Sequence, residues 1–225
     1  MITQKLSGPV LRESLKPSET DLAKIKELKN PPLVELTPED IHIRKVRLAG
    51  DFIDEYGGCF RSEDLAKLLK MTAGAPLLIG HRKDTVGVAR FFDGSVEKFG
   101  NGNYIIPKFY WLKAHSQAED LRIQIDGGII CEASISFVYT RPTCSVCGED
   151  IRACPHSVGK LYMGSTESCF YYYDGLKRVN EGSLVYRGAE PGTGIELTAR
   201  KSYPAPNDKL YVRVHGRLYA ANPIS

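Results

Sequence analysis

Apolar positions along this chain change their period several times, and the changes divide it into short helices and strands. Leu22, Ile25 and Leu28 recur at helical spacing behind Ser18-Glu19-Thr20-Asp21, a capping-box pattern, and Asn30-Pro31-Pro32 stops the run. Positions 41–49 alternate as a strand does. Leu65, Leu68 and Leu69 predict a helix over 61–71 with Ser62 as its N-cap, ended by Gly74-Ala75-Pro76. A short apolar run, Leu77-Leu78-Ile79, then leads to His81.

Beyond His81 a period of two takes over. Strands over 86–92 and 104–112, joined by a turn-rich segment with Asp93-Gly94 and Asn101-Gly102-Asn103, predict a long hairpin. Ser116-Gln117-Ala118-Glu119 is a second capping box, and the helix it opens runs through Leu121, Ile123 and Ile125 to Gly127-Gly128. A strand follows over 129–139. After an irregular polar loop, strands resume over 160–163, 169–173, 183–186 and 195–199, with one more strand-like run over 211–218. The sum is an α+β fold rich in antiparallel strands with few helices. It divides into an N-terminal arm (1–40), a main domain (41–199) with an inserted loop (141–160), and a C-terminal tail (200–225).

Composition narrows the class. A chain of 225 residues, 42% hydrophobic, can bury one proper core. A net charge of +3, with no Lys/Arg stripe interleaved with aromatics, argues against a nucleic-acid partner. No apolar run approaches membrane-spanning length, and Met1-Ile2-Thr3-Gln4-Lys5-Leu6-Ser7 lacks the apolar stretch of a secretory signal. A cytosolic protein is expected.

The inserted loop carries the densest chemistry. Cys144-Ser145-Val146-Cys147 is followed by Cys154-Pro155-His156, four soft ligands in thirteen residues. A C-x-x-C pair grips one face of a tetrahedral Zn²⁺ and a C-x-H pair closes the other. The competing readings are a disulfide or two buried thiols. With four protein ligands no position is left for water or substrate, so the zinc is expected to be structural, fastening a loop too polar to fold alone. Cys59, Cys131 and Cys169 remain as free thiols. A zinc ribbon for nucleic acid ranks last, because Glu149 and Asp150 nearly cancel Arg141 and Arg152 and no aromatic platform is present.

Catalysis must then come from elsewhere. His81, at the exit of an apolar run and before the charged turn Arg82-Lys83-Asp84, suits a general base, although a loop histidine without function fits the same pattern. His42, His115 and His215 compete weakly. Period two places Glu132, Ser134 and Ser136 on one face of a strand whose other face is Cys131, Ala133, Ile135 and Phe137. Such a polar row is also what the solvated side of an edge strand looks like. Tyr171-Tyr172-Tyr173 is expected to pack against the core.

The order of several motifs resembles the prohead, or capsid maturation, serine proteases of tailed bacteriophages, whose fold is related to the herpesvirus assemblin proteases. The likeness spans about 41–195. Its pieces are 54–60 followed by a helix, Ala75-Pro76-Leu77-Leu78-Ile79-Gly80-His81 followed by Val86-Gly87, and a helix ending in Asp126-Gly127. They continue with Ala133-Ser134-Ile135-Ser136-Phe137, Glu181-Gly182-Ser183-Leu184-Val185 and Gly188-Ala189-Glu190-Pro191. The resemblance implies a mainly antiparallel, barrel-like core with flanking helices. It also implies His81 as general base, Ser134 as nucleophile and Glu132 as the acid that orients the histidine, with a backbone amide or a water-bridged arginine on the oxyanion. Substrates would be scaffold and capsid proteins inside the assembling prohead in the host cytoplasm, and a homodimer is expected by analogy. Two departures stand out: Ser136 occupies a position where the family commonly has glycine, and the zinc loop directly follows the nucleophile strand. They keep open a second reading, a catalytically inactive protease-like scaffold or assembly protein stabilised by zinc.

Overall fold

A computed structural model describes residues 2–84, 87–185, 210–214 and 217–221. The chain begins with β1 (Ile2–Leu15), α1 (Glu19–Lys26), β2 (Ile41–Val46), β3 (Ala49–Gly50), β4 (Gly58–Cys59) and α2 (Leu65–Thr72). It continues with β5 (Pro76–Ile79), β6 (Ala89–Phe99), β7 (Gly102–Leu112), α3 (Ala118–Asp126), β8 (Glu132–Tyr139) and β9 (Arg141–Cys144). The last elements are β10 (Tyr171–Asp174), β11 (Arg178–Val185), β12 (Leu210–Val214) and β13 (Arg217–Ala221). The fold is α+β, mostly sheet, with three α-helices among the described residues.

Eight strands form the main sheet in the order β2-β1-β8-β11-β5-β6-β7-β3, and β2 pairs with β7 as well. All its pairings are antiparallel except β11 with β5. The expected N-terminal arm is corrected here, because β1 is an interior strand whose Ile2 to Pro9 register against Tyr139 to Glu132 of β8. Gly8-Pro9 interrupts any alternation in this segment, so its strand character comes from the two partners on either side rather than from its own pattern. A second sheet, β4-β10-β9, carries the cysteine-rich loop at the end of β9, and β12 pairs with β13.

Local chemistry explains the helix ends. The Ser18 hydroxyl accepts from the Asp21 amide, and Asp21 accepts in return from the Ser18 amide, as the capping-box pattern predicts. At the second helix the N-cap expectation is corrected: the Ser62 hydroxyl donates to Asp51 at 2.7 Å, residues 62–64 form a 3-10 turn, and the α-helix starts at Leu65. The second capping box is likewise not made, since Gln117 sits at the N-cap with no side-chain bond. α3 does stop at Gly127-Gly128, with Gly128 in the left-handed region at φ 74°.

The predicted hairpin is β6 and β7, longer and tighter than its turn residues suggested. Asp93-Gly94 falls inside β6, paired with Lys108 and Pro107 just after a register shift at Phe92, and the reversal comes at Gly100-Asn101. No strand forms over 160–163, the 195–199 expectation lies outside the described residues, and the 211–218 run is the paired β12 and β13.

The main core joins Phe91, Phe109, Trp111, Phe137, Phe60 and Tyr173 with Leu65 and Leu68 of α2 and Ile125 of α3. A smaller cluster places Leu22 and Ile25 of α1 on Ile41, Ile43, Phe92 and Tyr110. Arg44 of β2 ties α3 down through paired bonds to Asp126, at 2.8 Å to each carboxylate oxygen. Arg44 is the buried partner, so removing Asp126 leaves its charge uncompensated, whereas Asp126 is partly exposed and also bound by Arg122.

Candidate active site and metal centre

β8 is flanked by β1 and β11, which removes the edge-strand reading of its polar row. Ala133, Ile135 and Phe137 face the main core, and Ser134 and Ser136 point the other way yet are also buried, Ser134 at 5% exposure. Residues directly opposite in an antiparallel pair share a face, and on β11 those opposite Ser134 and Ser136 are Ser183 and Glu181. Both are also buried, Ser183 at 0% and Glu181 at 2%. Four polar side chains thus stand in one patch on two adjacent strands. Ser134 and Glu181 are diagonal neighbours, a relation that puts backbones about 7–8 Å apart.

His81 joins this patch from β5, the other neighbour of β11. Gly80 extends the β5–β11 pairing by donating to the Leu184 carbonyl at 2.8 Å. The chain then reverses, with Gly80 at φ 59° and His81 at φ 60°, and Arg82 donates back to the Ile79 carbonyl at 3.2 Å. Among the described residues His81 is the only one other than glycine with positive φ. A histidine in that region is costly and marks a position held by its surroundings. The reversal turns the imidazole over β11, where Nδ1 lies 2.8 Å from Glu181 Oε1.

The carboxylate that hydrogen-bonds His81 is therefore Glu181, where Glu132 was expected. Glu132 begins β8 opposite Val185, beyond Ser134 from the patch, and pairing with β11 brings Glu181 to the ring instead. In the sequence Glu181 stands within the motif Glu181-Gly182-Ser183-Leu184-Val185, to which no role attaches. Its signal was an acidic residue inside a strand-like run that also carries Val179, Leu184 and Val185. Glu181 Oε2 is buried without a hydrogen-bond partner. Among the described residues no hydrogen bond joins His81 to Ser134, a contact that in unliganded enzymes often tightens only when substrate binds.

Cys144, Cys147, Cys154 and His156 come together as read from their spacing, their ligand atoms all within 4.8 Å of one another. They make a candidate metal centre whose donor set is compatible with zinc. His156 Nδ1 is buried and lacks a hydrogen-bond partner, the state expected of a donor reserved for a cation. Burial works to raise the Cys144 thiol, but amide donors from Cys147 and Val146 outweigh it and hold the group below its ordinary range, toward the thiolate that binds metal. Cys169, expected as a free thiol apart, lies 3.8 Å from Cys144 sulfur to sulfur, and burial pushes it up to about 11. Cys169 stands outside the four residues whose ligand atoms all lie within 4.8 Å of one another.

Of the aromatic trio, Tyr173 lies in the main core and Tyr171 packs against it, as expected, while Tyr172 does not. Tyr173 packs on Phe60, Phe137 and Tyr139 and its hydroxyl donates to buried Asp54, which also accepts from the Tyr56 and Gly58 amides. Tyr172 stacks under the Arg61 guanidinium, itself bound to Asp174 by two bonds of 2.7 and 2.9 Å. No helix among the described residues is long and apolar enough to cross a membrane.

Comparison with protein-family models, with curated proteins and with solved structures found no match for this chain.

Proposed function

We propose that the protein is a serine endopeptidase of the phage prohead-maturation type, in which Ser134 is the nucleophile, His81 the general base and Glu181 the acid that orients it. The observation that carries this reading is the bond between His81 Nδ1 and buried Glu181 Oε1, made over a strand whose neighbour presents Ser134 on the same face. With Nδ1 engaged, Nε2 is left to receive a proton. Ser134 Oγ attacks a peptide carbonyl while Nε2 takes the hydroxyl proton, and the same proton passes to the leaving amine as the C–N bond breaks. Water, deprotonated by the same imidazole, then hydrolyses the acyl ester and frees Ser134. The ring of strand pairings through β2–β7, around the main core, is consistent with the barrel-like architecture of that family.

On this reading the substrates are scaffold and capsid proteins, the site of action is the assembling prohead in the host cytoplasm, and the active form is a homodimer. Zinc bound by Cys144, Cys147, Cys154 and His156 would supply no chemistry to cleavage; it would fix the loop that joins β9 to β10. The competing reading is an inactive protease-like scaffold, and the observation on its side is the missing His81–Ser134 hydrogen bond. Ser134→Ala and His81→Ala decide between them. Each is expected to abolish cleavage of co-expressed scaffold and capsid protein while leaving the fold intact, and unchanged processing in both overturns the proposal.

A further inference from the structure

His81 carries a backbone conformation that its own side chain disfavours, so something must hold it. In a two-residue reversal with both central residues at positive φ, the amide of the second central residue has no partner within the turn. Here that amide belongs to His81, and it donates to Ser183 Oγ at 2.7 Å. Ser183 is fully buried on β11, opposite Leu78 of β5 on one side and Ser134 of β8 on the other. β11 thus grips His81 twice: the main chain through Ser183 and the ring through Glu181, two positions apart on one strand.

We propose that Ser183 is a positioning residue for the general base: its hydroxyl holds the His81 amide in the left-handed turn and thereby aims the imidazole at Glu181 and Ser134. It rests on the serine endopeptidase reading above, but the hydroxyl's effect on the ring is measurable apart from proteolysis. Ser183 is not itself a nucleophile, because its oxygen is committed to a main-chain amide and shut off from solvent. Without that acceptor the His81 N–H is left unsatisfied, the turn relaxes toward negative φ, and the ring swings off its carboxylate. Small displacements of this kind cost on the order of 10- to 100-fold in rate when a reacting group loses its alignment.

The test uses the full-length protein, two removals and one rescue. Ser183→Ala deletes the acceptor, Ser183→Cys keeps nearly the same shape with a much weaker one, and Ser183→Thr restores a hydroxyl. The first readout is the low-field proton NMR signal of the His81 Nδ1–H in its bond to Glu181, identified by its disappearance in His81→Ala. The second is the rate at which a fluorophosphonate probe labels Ser134, measured across pH. Ser183→Ala and Ser183→Cys are expected to lose the low-field signal and to slow labelling by about tenfold or more, with both restored in Ser183→Thr. An unchanged signal and unchanged labelling in the folded Ala or Cys variant overturns the role of Ser183. Failure of the wild-type protein to label at Ser134 overturns the endopeptidase reading instead, and the NMR signal then still decides whether Ser183 sets the ring.

Discussion

Glu181 and His81 are a hundred positions apart in the chain yet meet at 2.8 Å, because β5 and β11 run side by side in parallel with Gly182 and Ser183 opposite Leu77 and Leu78. A parallel pair cannot be joined by a tight turn, so such a contact needs a long excursion between its strands. The excursion here contains the hairpin, α3, β8 and the cysteine-rich loop.

Replacing Glu181 by Gln keeps the size of the side chain and removes the charge facing the imidazole. Cleavage, or fluorophosphonate labelling of Ser134, is expected to fall by roughly 10²–10⁴-fold, with thermal stability nearly unchanged. Glu132→Gln, outside the His81 contact, is expected to stay within a few fold of wild type. Equal losses in the two variants would contradict the assignment of the orienting acid.

Metal analysis of the purified protein is expected to find one zinc per chain. Cys147→Ser should lose it and melt at a lower temperature, because the loop has little apolar surface of its own to hold it. Cys169→Ser should retain the metal, as it leaves the Cys144, Cys147, Cys154 and His156 set complete. Protein purified without any bound metal, and indifferent to Cys147→Ser, would remove zinc from the account.

Arg61 and Asp174 join the segment before α2 to β10. Hydrogen bonds from Arg61 hold the Asp174 carboxyl below its ordinary value of 3.8. A lowered folded value contributes stability that is present above 3.8 and lost as pH falls through the folded value. Asp174→Asn is therefore expected to cost about 1 kcal/mol at neutral pH, a gap that narrows as pH falls below 3.8 and through the lowered folded value. Chemical denaturation at pH 7 and pH 2.5 measures it.

Asp54 behaves oppositely. Burial pushes its carboxyl above the ordinary value of 3.8, and the Tyr173 hydroxyl, donating to it, partly offsets that. A raised folded value means stability that is complete below 3.8 and declines as pH rises through the folded value. Tyr173→Phe removes the offsetting donor, so its cost, about 1–3 kcal/mol, is expected to be larger at pH 8 than at pH 4. An equal cost at both would show that Asp54 does not depend on Tyr173.

The fold was legible wherever a segment's own pattern sufficed. Ser18 and Asp21 make a reciprocal cap from groups three residues apart, and the Cys144 to His156 spacing closes within one loop. What could not be read depended on partners distant in the chain. Ser62 abandons its cap for Asp51, the strand of residues 2–15 exists because β2 and β8 flank it, and the polar row on β8 is buried because β11 covers one side. The same limit separates the candidate residues: His81 and Ser134 carried motif signals, while strand register alone sets Glu181 beside His81.

The placement of β1 has a consequence for biosynthesis. Ile2 to Pro9 leave the ribosome long before residues 132–139, the strand they must join, so for most of synthesis this segment has one available neighbour at most. Pairing across such separations closes late and slowly. The nascent chain cannot complete its sheet, or assemble the polar patch of Ser134, Ser136, Glu181 and Ser183, until β11 has emerged.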